Sequence, residues 1–374
     1  VDARAAVVAA ARAAGAGAVR IAPALPPPQA RERLAASFAR GDLATWPYDA
    51  AYAAAASDPR ALLDAARSVV CVALAYATPG ASERRGHGRV SNYAWSQDYH
   101  RRMRPLLAEV VRAIEGLGGS AVAACDTAPL AERAFAERAG LGWIGKHTNL
   151  IAPGLGSFVF LGEVVTSLDL APDPPLRTSC GACVRCVDAC PTGALRGDYT
   201  IDANRCISDL TQRTGPIPRA LRPLIGTWLW GCDLCQEVCP PTRRAPQTAG
   251  AFAPLDETTR APRAADLLRL RSAEFKRRYA RTALGWRGAA VLRRNAAVVL
   301  GNGLDRADVP VLEQALSADP HPLVRGHVAW ALGRIGSPRA LAALRERLPR
   351  EADPLALDEI RAALRRDSQA GPVA

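Results

Sequence analysis

Eight of the chain's ten cysteines lie between Cys180 and Cys239, in two interlocking runs. The first is Cys180-x2-Cys183-x2-Cys186-x3-Cys190-Pro191; the second is Cys206, then after a gap Cys232-x2-Cys235-x3-Cys239-Pro240. Nothing else in the sequence constrains the fold as strongly, because thiolates at such spacing converge. A chain looping with two-residue gaps reaches three corners of one cubane, and the fourth corner is filled from elsewhere. In bacterial two-cluster modules of this rhythm, the cysteine before the proline serves the other cluster. The spacing therefore predicts two [4Fe–4S] clusters, one on Cys180, Cys183, Cys186 and Cys239, the other on Cys190, Cys206, Cys232 and Cys235. Two four-cysteine zinc sites would also consume these thiolates, but the x2-x2-x3-Cys-Pro rhythm favours iron–sulfur. Disulfides fit less well, because the cysteines are clustered and no apolar signal segment is evident; a cytoplasmic, reducing compartment is expected. Cys71 and Cys125 stand in apolar surroundings, VVCVALAY and AVAACD, and read as core residues.

Three regions are expected around and including this module. Residues 1–170 alternate helical and strand patterns and predict an α/β domain of layered, α+β character. Its helices are expected at Ala5–Ala14, Leu106–Leu117 and Leu130–Ala139, and its strands at Ala18–Ala22, Ser68–Tyr76, Ser120–Cys125 and Gly156–Val165. A proline-rich stretch from Ala171 to Leu176 breaks the pattern, and a ferredoxin-like module is expected over 171–250. The region 251–374 reads as helical repeats: the segments beginning at Asn295, His327 and Glu359 recur every 32 residues, and Arg293 and Arg325 recur with the first two. That period marks stacked helix pairs of the HEAT type, here a small cap. The gap between Cys206 and Cys232 is an insertion expected to fold back toward the clusters and touch whatever they reduce.

Charge bears on the partner. The chain carries 48 Lys and Arg against 36 Asp and Glu, a net +12. Such an excess points to a polyanion, nucleic acid first, unless arginine is simply the basic residue this genome favours. Arginines between Ala261 and Arg294 form either a phosphate-facing surface or an ordinary solvated one. Apolar runs fall well short of the ~20 residues needed to span a bilayer, so no membrane association is expected. No pattern demands a dimer, and a monomer is expected.

Substrate chemistry must lie in the first region, whose densest stretch runs from Cys125 to Leu150, CDTAPLAERAFAERAGLGWIGKHTNL. Asp126 follows a predicted strand and precedes a predicted helix, a place for a working carboxylate or for a plain helix cap. Gly140, Gly142 and Gly145 beside Lys146 lack the spacing of dinucleotide or P-loop motifs.

In combination, RVSNYAWSQDYH from Arg89, DTAPLAERAFAERAGLGWIGKHT from Asp126, GSFVFLGEVVT from Gly156, CISDLTQ from Cys206, GCDLCQEVCP from Gly231 and the cysteine runs resemble epoxyqueuosine reductase. The resemblance spans nearly the whole chain. It implies a cobalamin-dependent iron–sulfur enzyme that reduces the epoxide of epoxyqueuosine, at the wobble position of tRNA, to the alkene of queuosine with release of water. It implies base-off cobalamin, an external low-potential electron donor and Asp126 as proton donor over the cobalt. Carried over residue by residue, Arg89, Lys146, Thr148, Ser157, Ser208 and Asp233 fall in stretches that line the cobalamin, and Arg213, Thr214 and Gly215 fall where the family meets the tRNA anticodon stem-loop. His100 and His147 are expected to be structural or to touch the cofactor tail. One departure is the alanine run after Tyr52, where relatives often carry a basic residue. The alternatives are a corrinoid iron–sulfur reductase of the dehalogenase kind and a ferredoxin-like carrier fused to a HEAT interaction module.

Overall fold

The structure, a computed structural model, describes residues 2–43, 46–78, 80, 84–247 and 252–369. The chain divides into two compact units, each assembled from separated segments. The first comprises Val1–Pro79, Asp98–Cys206 and Asp233–Ala253; the second comprises Gly80–Gln97, Ile207–Cys232 and Pro254–Ala374. The insertion between the cysteine runs thus folds with the C-terminal helices. Among the described residues, no helix is long and apolar enough to cross a membrane.

The first unit is built on a four-stranded sheet in the order Ala18–Pro23, Ser68–Ala75, Val159–Thr166, Ala121–Ala124, with every pairing antiparallel. Each strand expected from the sequence is present, and the antiparallel pairing makes the domain α+β. Ser68–Ala75 is β-branched and apolar along most of its length because it is an inner strand, covered on both faces. One face carries the helix His100–Glu115, which buries Met103, Leu106, Leu107, Val110 and Ile114, a 3.6-residue period. It packs close enough that a Cβ on Gly162 of the facing strand would lie 2.7 Å from the Met103 sulfur. The other face carries the short helix Glu132–Arg138, whose Phe135 and Ala136 join Cys71, Ala124, Leu141 and Val165 in the core. Burying Phe135 contributes roughly 1.5–3 kcal/mol.

The cluster module's first run is tied into this unit through Asp42. Its carboxylate accepts bonds from Arg196 at 2.6 and 3.2 Å and from Arg40 at 2.8 and 3.1 Å, and its carbonyl oxygen accepts the Ala203 N–H. Burial alone would raise this carboxyl, but the bonds from Arg196, Arg40 and Ser37 outweigh it and hold Asp42 below the usual carboxylate range.

In the second unit, Arg89–Val90 pairs in parallel with Trp228–Trp230. The predicted repeat appears as the helices Ala289–Gly303, Pro322–Ile335 and Pro354–Gln369, which pack one on the next. Its 32-residue period has two physical sources. A Cβ on Gly301 would meet Ala331 at 2.9 Å, and one on Gly333 would meet Ala363 at 2.5 Å, so glycine lets successive helices approach. Arg293 bonds Asp319 and Arg325 bonds Glu351, each acid lying 26 residues ahead. Arg294 is fully buried: it donates to the carbonyls of Leu210, Thr211, Arg213 and Gly215, while Asn295 donates to those of Thr211 and Leu229. These two arginines therefore leave the expected basic surface; they hold the repeats together and anchor the insertion.

Candidate active site and cluster module

Asp126 stands just past the end of the Ala121–Ala124 strand, exposed, with φ of 59°. Left-handed backbone is unfavourable for a residue with a Cβ and persists where its surroundings enforce it. Here the enforcing contacts are close turns: Thr127 N–H donates to the Cys125 carbonyl at 2.6 Å, Ala131 N–H to the Ala56 carbonyl at 2.7 Å, and Asp126 N–H to the Glu132 carboxylate. The helix-cap reading of Asp126 is corrected. The following helix begins at Glu132, six residues on, with Ala131 as its cap, whose methyl side chain offers no acceptor for a cap bond.

Of the groups in this part of the first unit, Glu132, Glu163 and Tyr99 were not singled out from the sequence. Glu132 is half-buried, and desolvation pushes its carboxyl up to about 7, with the Asp126 charge adding to the rise while the Asp126 N–H and Arg133 oppose it. Glu163, on the central strand and fully buried, has no hydrogen-bond partner at either oxygen; burial, then the Glu132 charge, pushes it well above the carboxylate range. Tyr99 stacks on Phe160 at 4.2 Å, and burial followed by the Asp126 charge raises its phenol. Burial and the neighbouring Tyr48 raise Tyr52, which also senses Glu132 and Asp126. His100 Nδ1 lies 2.7 Å from Asp98, while its buried Nε2 has no partner. One of these had a readable signal: Glu163 is a single carboxylate inside the apolar run FVFLGEVVT. The others become neighbours only through the fold.

The GKHT segment is the tip of a hairpin joining Trp143–Ile144 to Leu150–Ile151. Lys146 Nζ donates to the Gly181 carbonyl at 2.9 Å, beside Cys180. Thr148 has φ of 66°, and its carbonyl accepts from Arg133 at 2.6 Å. His147 is buried and its Nδ1 accepts the Asn149 N–H, so Nε2 carries the hydrogen and points, unpartnered, into the interior. Burial pushes its imidazole down to about 4, so it is neutral. Ser157 is buried, its hydroxyl 2.9 Å from that of Thr242.

All ten cysteines are free thiols. Cys186 is raised by burial and then by Cys180, with Cys239 also contributing; Cys239 is raised by burial and senses both Cys180 and Cys183. Thiols that influence one another in this way share one locality. Cys190 differs. Burial would raise it, but the Thr192 hydroxyl and the N–H groups of Leu195, Ala194 and Thr192 hold it below the usual thiol range. Backbone donors aimed at a sulfur stabilise a thiolate, the form that binds iron. The donor set therefore suits iron–sulfur clusters. The buried, unpartnered nitrogens of His100, His147 and Trp143 suit a cofactor with polar edges.

The remaining expected residues lie as follows. Asp233 is buried at the start of the Leu234–Glu237 helix. In the second unit, the Arg89 guanidinium lies 4.1 Å over the Trp228 ring. The Ser208 hydroxyl accepts from Gln212, which accepts from Tyr93, whose hydroxyl accepts from Trp230. Arg213 is paired with Asp209 one helical turn back, Thr214 is exposed, and the carbonyls of Arg213 and Gly215 are held by Arg294.

The comparisons with known proteins agree on one family. The sequence matches the family descriptions "Epoxyqueuosine reductase QueG, DUF1730" over residues 57–127, "4Fe-4S double cluster binding domain" over 179–242 and "HEAT repeats" over 287–365. Epoxyqueuosine reductase of Bacillus anthracis is 36% identical over 311 residues, covering 81% of this chain and 82% of that protein. That of Salmonella typhimurium is 40% identical over 275 residues, covering 71% and 69%. A crystal structure of epoxyqueuosine reductase with an epoxyqueuosine-modified tRNA-Tyr stem loop superposes with a TM-score of 0.91 at 32% identity, covering 97% of this chain and 98% of that one. A Bacillus subtilis epoxyqueuosine reductase, with its catalytic aspartate loop swung out of the active site, superposes at 0.89 and 32% identity, covering 96% and 97%. On these grounds the chain belongs to the epoxyqueuosine reductase family.

Proposed function

We propose that this protein reduces epoxyqueuosine in tRNA to queuosine, with Asp126 as the proton donor. The observation that carries the assignment to Asp126 is its exposed position on a left-handed turn past the strand end, with its N–H bonded to the Glu132 carboxylate. Converting the epoxide to an alkene and water consumes two electrons and two protons. Cobalamin and the two clusters, when bound, would supply the electrons. The chain's own residues do the rest. Asp126 delivers one proton to the departing oxygen, and solvent supplies the second, which completes the water. Tyr99 and Tyr52 lie near Asp126. Arg89, Lys146, Thr148, Ser157, Ser208 and Asp233 are assigned to cobalamin. Arg213, Thr214 and Gly215 are assigned to the tRNA.

Cys180, Cys183, Cys186 and Cys239 are assigned to one cluster, and Cys190, Cys206, Cys232 and Cys235 to the other; the mutual influence of Cys180, Cys186 and Cys239 supports the first set. An external low-potential donor reduces the clusters, and the enzyme works in the cytoplasm as a monomer. The test is conversion of an epoxyqueuosine-bearing tRNA stem-loop by the fully loaded enzyme, with cobalamin present or omitted. Asp126→Ala is expected to slow turnover by about 10²- to 10⁴-fold with clusters and cobalamin retained. Parent-level turnover in that variant would remove the proton-donor assignment, and conversion without cobalamin would remove the cofactor.

A further inference from the structure

Beneath Asp126 lie two carboxyls that the reaction as described does not use. Glu132 opens the helix that follows the Asp126 turn, and its carboxylate accepts the Asp126 N–H across six residues of chain. Glu163 sits on the central strand, opposite Cys71 on one neighbour and Ala124 on the other, with both oxygens buried and unpartnered. A buried carboxylate with no partner is expensive unless it keeps its proton. Asp126 itself holds a backbone conformation that a residue with a Cβ resists. Aspartate tolerates it better than most residues, and the Glu132 bond is the contact that reaches its own amide.

We propose that Glu132 is a positioning residue, a latch whose ionised carboxylate holds the Asp126 turn in its working conformation and releases it on protonation, while Glu163 stays protonated and keeps a second charge away. This rests on Asp126 as the proton donor. A charged acceptor makes the stronger bond, so the latch is tight when Glu132 is ionised. Burial raises Glu132 to about 7, which puts tight latching above neutrality and loosening below it. The groups facing Glu132 are Asp126 on the turn, Arg133 on its own helix, Glu163, Cys71 and Cys125 on the strands, and Tyr52 and Tyr99 from the neighbouring segments. Of these, Arg133 alone favours the ionised form by its charge, and Asp126 opposes it.

The test reads hydrogen exchange in the peptide containing Asp126, corrected for intrinsic rates, across pH 6 to 8, alongside turnover. In the parent, protection is expected to fall about tenfold as pH drops through neutrality. Glu132→Ala should lose that protection at every pH and lower kcat by roughly ten- to a hundredfold with KM little changed. Glu132→Gln, which keeps an acceptor but cannot titrate, should restore much of the protection and make it independent of pH. Glu163→Gln should leave the midpoint of the parent response in place. Parent-like protection in Glu132→Ala, a flat response in the parent, or a response abolished by Glu163→Gln would each overturn the latch. Because exchange is read apart from turnover, an Asp126→Ala variant of parent activity would defeat the proton-donor reading while the exchange data still decide the latch.

Discussion

Asp126 is set apart from an ordinary strand-end carboxylate by its left-handed backbone and by Glu132 closing on its amide. The position of Asp126 after a strand is readable from the chain, but a cap and a catalytic acid occupy the same place in a sequence pattern. Only the turn between Cys125 and Glu132 separates them, by setting Asp126 six residues before the start of the helix. At the cysteines the balance reverses, since spacing alone predicts which thiols share a cluster. Cys186 is buried in the first set, so Cys186→Ala is expected to remove one cluster, cutting bound iron to about half, with the Cys190 set retained. Iron and sulfide analysis with electron paramagnetic resonance of the reduced protein checks this; full iron content in the variant would break the assignment.

The repeat helices show how a periodic sequence becomes a periodic set of contacts. The arginine before each core segment reaches an acid 26 residues on, Arg293 to Asp319 and Arg325 to Glu351. Glu351 accepts from Arg325 and Arg347, and these bonds, Arg325 first, outweigh burial and pull its carboxyl down to about 2. A depressed folded-state value means the pair's stabilisation is complete above the unfolded carboxylate's ordinary range, ~4.3, and is lost as pH falls toward 2. Glu351→Gln is therefore expected to destabilise the helices by about 3 kcal/mol at neutral pH, because two arginines lose a buried partner. The difference from the parent should shrink as pH drops from about 4.5 to about 2. Urea unfolding across that range measures it, and a pH-independent difference would assign the loss to packing. The repeat's period and its arginines were legible in sequence. The acids were not, since nothing local marks Asp319 or Glu351 as the partner.

Over the whole molecule, the excess of 12 positive charges is the feature that bears on tRNA. Binding of the tRNA stem-loop is expected to weaken by at least about tenfold between 50 and 200 mM salt, because each neutralised phosphate releases a counterion. Fluorescence anisotropy with a labelled stem-loop measures the slope, and a flat response would show that the charge excess is not used for binding. Not every arginine counts toward that slope: Arg293 and Arg294 are buried and engaged. By itself the sequence determined the cluster chemistry, the strands of the first domain and the repeat, and its motifs carried the resemblance to the family. The first three follow from spacing and periodicity, which act over a few residues and repeat along the chain. Tertiary structure alone decided which segments form one unit, placing Ile207–Cys232 with the C-terminal helices. It also set Glu132, Glu163 and Tyr99 around Asp126 and turned two arginines of an expected basic surface inward. Such contacts join residues far apart in the chain, and the packing that makes them leaves no local mark on the sequence.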